Sequence, residues 1–197
     1  MRPGPSPYPR TPHRSRALPH DHSAAPGHPH LTIVPVRGNA DTRLRLARIG
    51  DVDAVILALA GLRRLGREAE ATEIIDTDRM MPALGAGQLA LHIRADDQNL
   101  LDLVTPLADA TATRAALAER TLLRALAGHC HAPIAGHATT TAVAGDLHLA
   151  ARVYTPDGSQ MLAATRTGPD PQAVGHAVAQ DLIAQGANDL LASSRRS

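Results

Sequence analysis

The stretch LLRALAGHCHAPIAGHA, residues Leu122–Ala138, holds the only cysteine of this 197-residue chain. It begins in a run where Ala and Leu recur every three or four residues, which predicts a helix that Gly128 ends. Cys130 then follows between His129 and His131, so the helix leads into a loop that carries one thiol. Taken by itself, such a lone cysteine is better explained as a small buried apolar side chain than as a reactive group.

The sequence after this loop predicts a small antiparallel sheet. The dipeptide Asp157-Gly158 separates the runs LHLAARVY and QMLAATRT, and Asp-Gly between two apolar runs indicates a hairpin. The run IAGHATTTAVAG supplies a further strand, and the segment Asp170–Ala192 is helical in pattern. We therefore expect an α+β unit of about three antiparallel strands with helices packed on one face.

The sequence before the loop alternates short apolar runs with helical patterns. The runs are continuously apolar, as is typical of strands buried on both faces, and they span Leu31–Val36, Ala54–Ala58 and Gln88–Ile93. Helical patterns follow them, from a cap at Asp41 to Gly50, up to Gly66, and over Gln98–Leu107. Strands and helices in this order predict an α/β fold with parallel layering.

Composition narrows the classes of function. The chain has no Phe or Trp and only two tyrosines, so it lacks an aromatic platform for stacking nucleic-acid bases. A net charge of +1 gives no general attraction to a duplex or an anionic membrane. All 20 basic residues are arginine, which a GC-rich coding bias explains more simply than ligand binding does.

No apolar stretch approaches the roughly 20 residues of a membrane span, and no signal peptide is visible. We expect a cytoplasmic monomer without nucleic-acid or membrane partners.

The first 28 residues are rich in Pro, His, Arg and Ser and poor in aliphatic side chains, so we expect them to be disordered. Histidines at positions His20, His22, His28 and His30 resemble a metal-binding tract, but no acidic or thiolate partner stands at a defined spacing. The two histidines beside Cys130 point to opposite sides of an extended chain. We therefore predict no metal site.

Several motifs, in this order, resemble the hydroxymethylbilane synthases, also called porphobilinogen deaminases. They are VPVRGNADTRL (Val34–Leu44), DAVILALAGLRRLG (Asp53–Gly66), MPALGAGQLALHIRADD (Met81–Asp97), AERTLLRALAGHCHAPIAG (Ala118–Gly136), PDGSQ and GANDLL. The resemblance covers the carboxy-terminal part of the family. It implies, after the segment 1–28 that composition predicts to be disordered, part of a second, periplasmic-binding-protein-like α/β domain in 29–83, a crossover strand and helix of the first domain in 84–109, and a cofactor-attachment domain in 110–197.

The resemblance implies a role for the cysteine loop. Family members join four porphobilinogen molecules head to tail, with release of ammonia, on a dipyrromethane held by a thioether, and Cys130 occupies the attachment position. Arg37, Arg43 and Arg64 fall on family positions that bind the acetate and propionate groups of cofactor and substrate, which suit guanidinium groups. The implied partners are porphobilinogen and its oligomers.

The sequence also departs from the family pattern. The region expected to hold the catalytic aspartate has no counterpart here, so we assign no catalytic residue. The family's Gly-Gln-Gly appears as Gly85-Ala86-Gly87, which removes an amide expected near the cofactor, and His129 adds bulk beside the attachment point. Three interpretations stay open: a synthase whose start is misplaced or whose gene is broken, a non-catalytic binding module, or one half of a split enzyme. Each leaves the strand Gln88–Ile93 with unpaired edges unless a further chain segment, such as a missing amino-terminal half, covers it.

Overall fold

The computed structural model describes residues 31–129, 132–155 and 158–194. The helices in these ranges are α1 (Ala40–Arg48), α2 (Leu59–Arg64), α3 (Gln98–Val104), α4 (Ala110–Ala125), α5 (Pro171–Ala184) and α6 (Ala187–Ser194). The strands are β1 (Ile134–Thr140), β2 (Leu147–Tyr154) and β3 (Met161–Gly168), and short 3-10 turns span Glu68–Glu70 and Thr105–Leu107. The described residues divide into a unit that ends at residue 74 and a second unit that begins at residue 75. The fold is therefore mixed α/β, as the sequence predicts.

The second unit contains the sheet. Its strands lie in the order β1, β2, β3 and are antiparallel, with Gly136 opposite Ala151 and Ala151 opposite Ala164. Alternate residues of β2, including Leu149 and Val153, are fully buried against the helices. This arrangement confirms the predicted three-stranded sheet with helices on one face. Asp157, the first residue of the predicted hairpin turn, lies outside the described residues.

The core of this unit is built from aliphatic and small side chains, so its helices must approach closely. Leu122 of α4 and Val178 and Leu182 of α5 have no exposed surface. Where these helices cross, a Cβ added at Gly175 would lie 2.5 Å from the carbonyl oxygen of Ala118. A glycine at this position therefore permits the close helix packing that fills a core built mainly from aliphatic and small side chains.

The prediction of parallel strands is wrong for the described residues. The runs Leu31–Val36, Ala54–Ala58 and Gln88–Ile93 belong to no β-ladder in the described part of the chain. Backbone groups of a strand bond to neighbouring strands, and a parallel ladder needs a second strand in register, which these runs do not find here. Leu89 is 95% exposed, so an apolar run alone has not produced a buried strand.

The predicted helices are confirmed, with two corrections at their ends. Asn39, rather than Asp41, caps α1, because its side-chain oxygen accepts from the Thr42 amide at 2.9 Å. The helical pattern of Asp170–Ala192 forms two helices, because Gly186 adopts φ +100° between α5 and α6. No described helix has both the length and the apolarity needed to cross a membrane. The predicted disordered segment 1–28 and its histidines lie outside the described residues.

Candidate functional site

The loop that follows α4 begins with a left-handed residue. Ala127 has φ +48°, its amide donates to the Arg124 carbonyl at 3.0 Å, and the Gly128 amide donates to the Leu123 carbonyl at 2.9 Å. This pair of bonds is a Schellman motif, the usual way to satisfy the last carbonyls of a helix. The left-handed residue of the motif is therefore Ala127, one position before Gly128, which the sequence pattern indicates as the end of the helix.

Gly128 lies in a crowded position between the helix and the first strand. A Cβ at this position would lie 2.5 Å from Cδ1 of Leu123 and 2.9 Å from Cδ1 of Ile134. Leu123 belongs to α4 and Ile134 begins β1, so the helix and the strand pack together where the loop leaves the helix. The absence of a side chain at Gly128 allows the loop to start from a fixed point on the core.

The predicted attachment residue Cys130 and its neighbour His131 lie outside the described residues. The chain on both sides of them is held by backbone hydrogen bonds. The Ala132 amide donates to the His129 carbonyl at 2.9 Å, and the Pro133 carbonyl accepts from the Tyr154 amide at 3.0 Å. His129 and Ala132 are therefore held close together, and the segment after the thiol is joined to β2 through Pro133.

The three predicted ligand-binding arginines lie in the first unit. Arg37 precedes α1 and is exposed, Arg43 lies on α1 and is half-buried, and Arg64 is the exposed last residue of α2. None of the three forms an ion pair with a described residue. The Nε atom of Arg43 is buried and finds no acceptor among the residues that the structure describes. These guanidinium groups remain available for an anionic ligand.

Three other arginines in the same unit form ion pairs with acidic side chains. Arg48 at the end of α1 bonds Glu70 at 2.6 Å, Arg67 bonds Glu70 at 2.5 Å and also pairs with Asp41, and Arg63 bonds Glu68. These contacts attach both ends of α1 to the turn at Glu68–Glu70. The paired arginines therefore serve the local structure.

These ion pairs change the ionisation of their carboxyl groups. The hydrogen bond from Arg67 is the main cause that lowers the pKa of the Glu70 carboxyl; partial burial opposes this effect, and the charges of Arg48 and Arg67 add to it. The hydrogen bond from Arg63 likewise lowers the pKa of Glu68.

Exposed Arg45 on α1 also has no ion pair among the described residues, so lack of a partner alone does not identify a ligand-binding arginine.

The Gly85–Gly87 turn lies in the second unit. Gly85 has φ +80° and Gly87 has φ +81°, a conformation that favours glycine at both positions. Ala86 between them is exposed, and its amide bonds the Ala83 carbonyl at 3.0 Å. The side chain at position 86 therefore ends at a methyl group where the family pattern has an amide.

A buried acid that the sequence reasoning missed holds this turn. Glu119 of α4 is 3% exposed and accepts hydrogen bonds from the amide of Gly85 at 2.7 Å, the amide of Ala138 at 2.9 Å and the side chain of Gln88 at 3.3 Å. Its sequence position carried a signal, because it stands beside Ala118 and three residues before Leu122 on the apolar face of the helix. An acid on such a face requires buried hydrogen-bond donors.

Comparison with known proteins places these features in a family. Residues 17–102 match the family model "Porphobilinogen deaminase, dipyromethane cofactor binding domain", and residues 113–184 match "Porphobilinogen deaminase, C-terminal domain". The chain is 45% identical over 166 residues to porphobilinogen deaminase 2 of Streptomyces coelicolor, covering 83% of this chain and 53% of that protein. It is 44% identical to the porphobilinogen deaminase of Halalkalibacterium halodurans, covering 83% of this chain and 52% of the relative.

A third relative gives the same result. The porphobilinogen deaminase of Corynebacterium glutamicum is 45% identical over 166 residues, which cover 83% of this chain and 55% of that protein. The chain thus spans about half the length of the curated relatives it matches. Because the two family models together match most of the chain and the identity is high throughout, the chain belongs to the porphobilinogen deaminase family.

Proposed function

We propose that this chain carries the cofactor-attachment and carboxylate-binding part of a hydroxymethylbilane synthase. The reaction joins four porphobilinogen molecules head to tail and releases ammonia at each step. One observation carries the proposal: the buried Nε of Arg43 has no acceptor among the described residues, while Arg48, Arg63 and Arg67 of the same unit form ion pairs. The match to a cofactor-binding family model supports it.

Cys130 is the proposed attachment residue. Its thiolate forms a carbon–sulfur bond with the methylene carbon of a porphobilinogen-derived pyrrole; the amino group on that carbon leaves as ammonia, and the thiol gives up its proton. The hydrogen bond between Ala132 and His129 supports this role, because it holds the chain ends on either side of the thiol. The dipyrromethane, when bound, supplies the free pyrrole carbon to which the first substrate is joined.

Arg37, Arg43 and Arg64 are proposed to bind the acetate and propionate groups. A guanidinium group binds a carboxylate through two parallel hydrogen bonds, which fixes orientation as well as charge. A buried donor without an acceptor costs about 1–3 kcal/mol, so a ligand carboxylate at Arg43 would remove a penalty that the free protein bears. The residues present therefore fit a polycarboxylate group.

We further propose that the remaining part of the family's length, on this or a separate polypeptide, completes the enzyme. Leu89 is 95% and Leu91 62% exposed, and Leu103 and Leu107 on and after α3 are also exposed, as expected of an apolar segment that awaits a partner. With that partner present, the runs Leu31–Val36, Ala54–Ala58 and Gln88–Ile93 would gain the neighbours that the layers of a periplasmic-binding-protein-like domain require. The catalytic acid is expected there, and we assign none in this chain.

A non-catalytic binding module is the second candidate. Ala86 in place of the family's glutamine and His129 beside the attachment position favour it, because both change the surroundings of the cofactor while leaving the thiol and the arginines in place. Such a module would bind the pyrrole carboxylates without joining pyrroles together.

Ammonia release from porphobilinogen separates the two candidates. The 197-residue chain is mixed with a separately produced amino-terminal half of the Streptomyces coelicolor relative, and the Cys130→Ala variant serves as the control. A synthase part predicts steady ammonia release with the wild-type chain and none with the variant. Binding of porphobilinogen without cysteine-dependent ammonia release, in the presence of the added half, would contradict the synthase and favour the binding module.

A further inference from the structure

The carboxylate of Glu119 lies where three segments of the second unit meet. It projects from α4, its Oε1 accepts from the Ala138 amide of β1, and its Oε2 accepts from both the Gly85 amide and the Gln88 side chain. Both oxygens are therefore used, and the side chain is almost completely buried. No described basic side chain forms an ion pair with Glu119, so these N–H donors are the polar partners of its carboxylate among the described residues.

The turn that Glu119 contacts has few other attachments. Before the turn, the Pro82 carbonyl accepts from the Gly136 amide at 2.9 Å and Ala83 forms an antiparallel bridge with Ala135, so this part lies along the edge of β1. Within the turn, two further backbone bonds join the Ala86 amide to the Ala83 carbonyl at 3.0 Å and the Gln88 amide to the Gly85 carbonyl at 3.3 Å. Ala86 and Gly87 are exposed. Pairing with β1 therefore ends at Ala83, and Glu119 joins the turn to α4 through Gly85 and Gln88.

The same helix also determines where the cysteine loop begins. Glu119 and Ala127 are separated by about two turns along α4, and the Schellman motif at Ala127 starts the loop that leads to Cys130. A displacement of α4 would therefore move the turn and the start of the loop together. Charge-assisted hydrogen bonds are about twice as strong as neutral ones, so an ionised acid suits this role better than an amide.

We propose that Glu119 is a positioning residue whose ionised carboxylate holds the Gly85–Gln88 turn on the domain that carries Cys130. The consequence for cofactor capture rests on the proposed function above, because the family resemblance places this turn beside the cofactor. The structural part of the proposal stands on the three hydrogen bonds alone.

Amide hydrogen exchange of the 197-residue chain tests the structural part. Glu119→Gln keeps the volume of the side chain but replaces one acceptor oxygen with a donor, so the Gly85 or the Ala138 amide loses its acceptor. We expect exchange at one or both amides to become at least about tenfold faster, while Ala151 and Ala164 in the sheet stay protected. Glu68→Gln, the same chemical change at an exposed site in the other unit, is the control.

Unchanged exchange at both Gly85 and Ala138, or equal acceleration throughout the sheet, would overturn the proposal. If Glu119→Gln does not fold, exchange in the wild-type chain decides the matter. The Glu119 carboxylate is the acceptor of the Gly85 amide, whereas the Gly87 amide of the same turn has no acceptor among the described residues, so Gly85 should exchange at least about tenfold more slowly than Gly87. Equally fast exchange at Gly85 and Gly87 would overturn the proposal.

The effect on cofactor capture is measured separately. We expect Glu119→Gln to slow the cysteine-dependent mass increase with porphobilinogen by about tenfold, while alkylation of Cys130 by iodoacetamide stays within about twofold of wild type. A purely space-filling role for Glu119 predicts no change in capture. If the wild-type chain captures no pyrrole, either alone or with the amino-terminal half of the Streptomyces coelicolor relative added, but the exchange result holds, the proposed function fails and the positioning role stands. If pyrrole is captured but exchange at Gly85 and Ala138 is unchanged in Glu119→Gln, the proposed function stands and the positioning role of Glu119 is wrong.

Discussion

Gly175 of α5 lies against Ala118 of α4 so closely that a Cβ at position 175 would come within 2.5 Å of the Ala118 carbonyl oxygen. The same Cβ would lie 2.9 Å from Cβ of Thr121. Because backbone atoms set one of these distances, rotation of a side chain cannot relieve the clash. The close crossing of α4 and α5 therefore requires a residue without a side chain at position 175.

Gly175→Ala is therefore expected to destabilise the second unit by about 1–3 kcal/mol, the usual cost of overpacking a core. Urea unfolding followed by circular dichroism would measure the change. Gly61→Ala is the matched control, because position 61 is in the interior of α2 and a Cβ there meets no atom within 4 Å. That control should stabilise by up to about 1 kcal/mol, since alanine is the better helix former. Equal effects of the two changes would show that the helices do not cross as described.

The left-handed residue at the end of α4 gives a second prediction. Alanine at φ +48° bears a steric cost of about 1–2 kcal/mol that glycine avoids. Ala127→Gly should therefore stabilise the unit by about 0.5–1 kcal/mol, after the larger entropy of the unfolded glycine is counted. Ala125→Gly, the same substitution two residues earlier inside the helix, should destabilise by about 1 kcal/mol. Destabilisation by both changes would contradict the Schellman motif.

The ion pairs of the first unit predict acid sensitivity. Arg67 and Arg63 lower the pKa values of Glu70 and Glu68 in the folded protein. A carboxyl with a lowered folded pKa contributes stability that is present above its unfolded pKa and is lost as the pH falls through its folded pKa. The attachment of α1 should therefore weaken as the pH falls from about 5 to about 3.

Amide chemical shifts of α1 across this pH range would detect the loss. In Glu70→Gln the carboxyl that joins Arg48 and Arg67 is absent, so the transition should become smaller. Asp189→Asn, on α6 of the other unit, is the control and should leave the transition as it is in the wild type. An identical transition in Glu70→Gln and wild type would show that these ion pairs do not hold α1.

The proposed ligand-binding role of Arg43 can be separated from a general effect of positive charge. Arg43→Ala should reduce capture of pyrrole carboxylates by at least about tenfold, because a charge-assisted hydrogen bond contributes about 1.5–3 kcal/mol. Arg45→Ala removes an unpaired arginine from the same helix and should change capture by less than about twofold. The rate of mass increase with porphobilinogen measures both. Equal losses would assign the effect to net charge rather than to Arg43.

The sequence was most informative where local signals and packing agree. The Asp157-Gly158 signal between two apolar runs predicted the hairpin of the sheet, and the Ala/Leu spacing predicted α4, because these elements bury one face within their own domain. The runs Leu31–Val36 and Gln88–Ile93 have the composition of strands, but composition cannot supply the neighbouring backbone that a ladder requires. The helix predictions were therefore correct, because helices form their backbone hydrogen bonds locally. The parallel-strand predictions were wrong, because those strands need neighbouring strands to pair with.

The candidate site was predictable only in part. Arg37, Arg43 and Arg64 were named from motif context, and within the described ranges they form no ion pairs like those of Arg48 and Arg67. Glu119 was missed because its donors, the amides of Gly85 and Ala138, are distant in sequence and carry no side-chain signal. Ala127 was missed because alanine rarely adopts a positive φ, so the glycine beside it was the better prediction for the helix end.

The central claim is that Cys130 holds a pyrrole cofactor, and the intact mass of the 197-residue chain after incubation with porphobilinogen tests it most directly. The account predicts an increase equal to two porphobilinogen units less two molecules of ammonia, with no increase in Cys130→Ala. The same measurement is repeated with the amino-terminal half of the Streptomyces coelicolor relative added. An unmodified wild-type mass under both conditions, or an equal increase in Cys130→Ala, would contradict the claim.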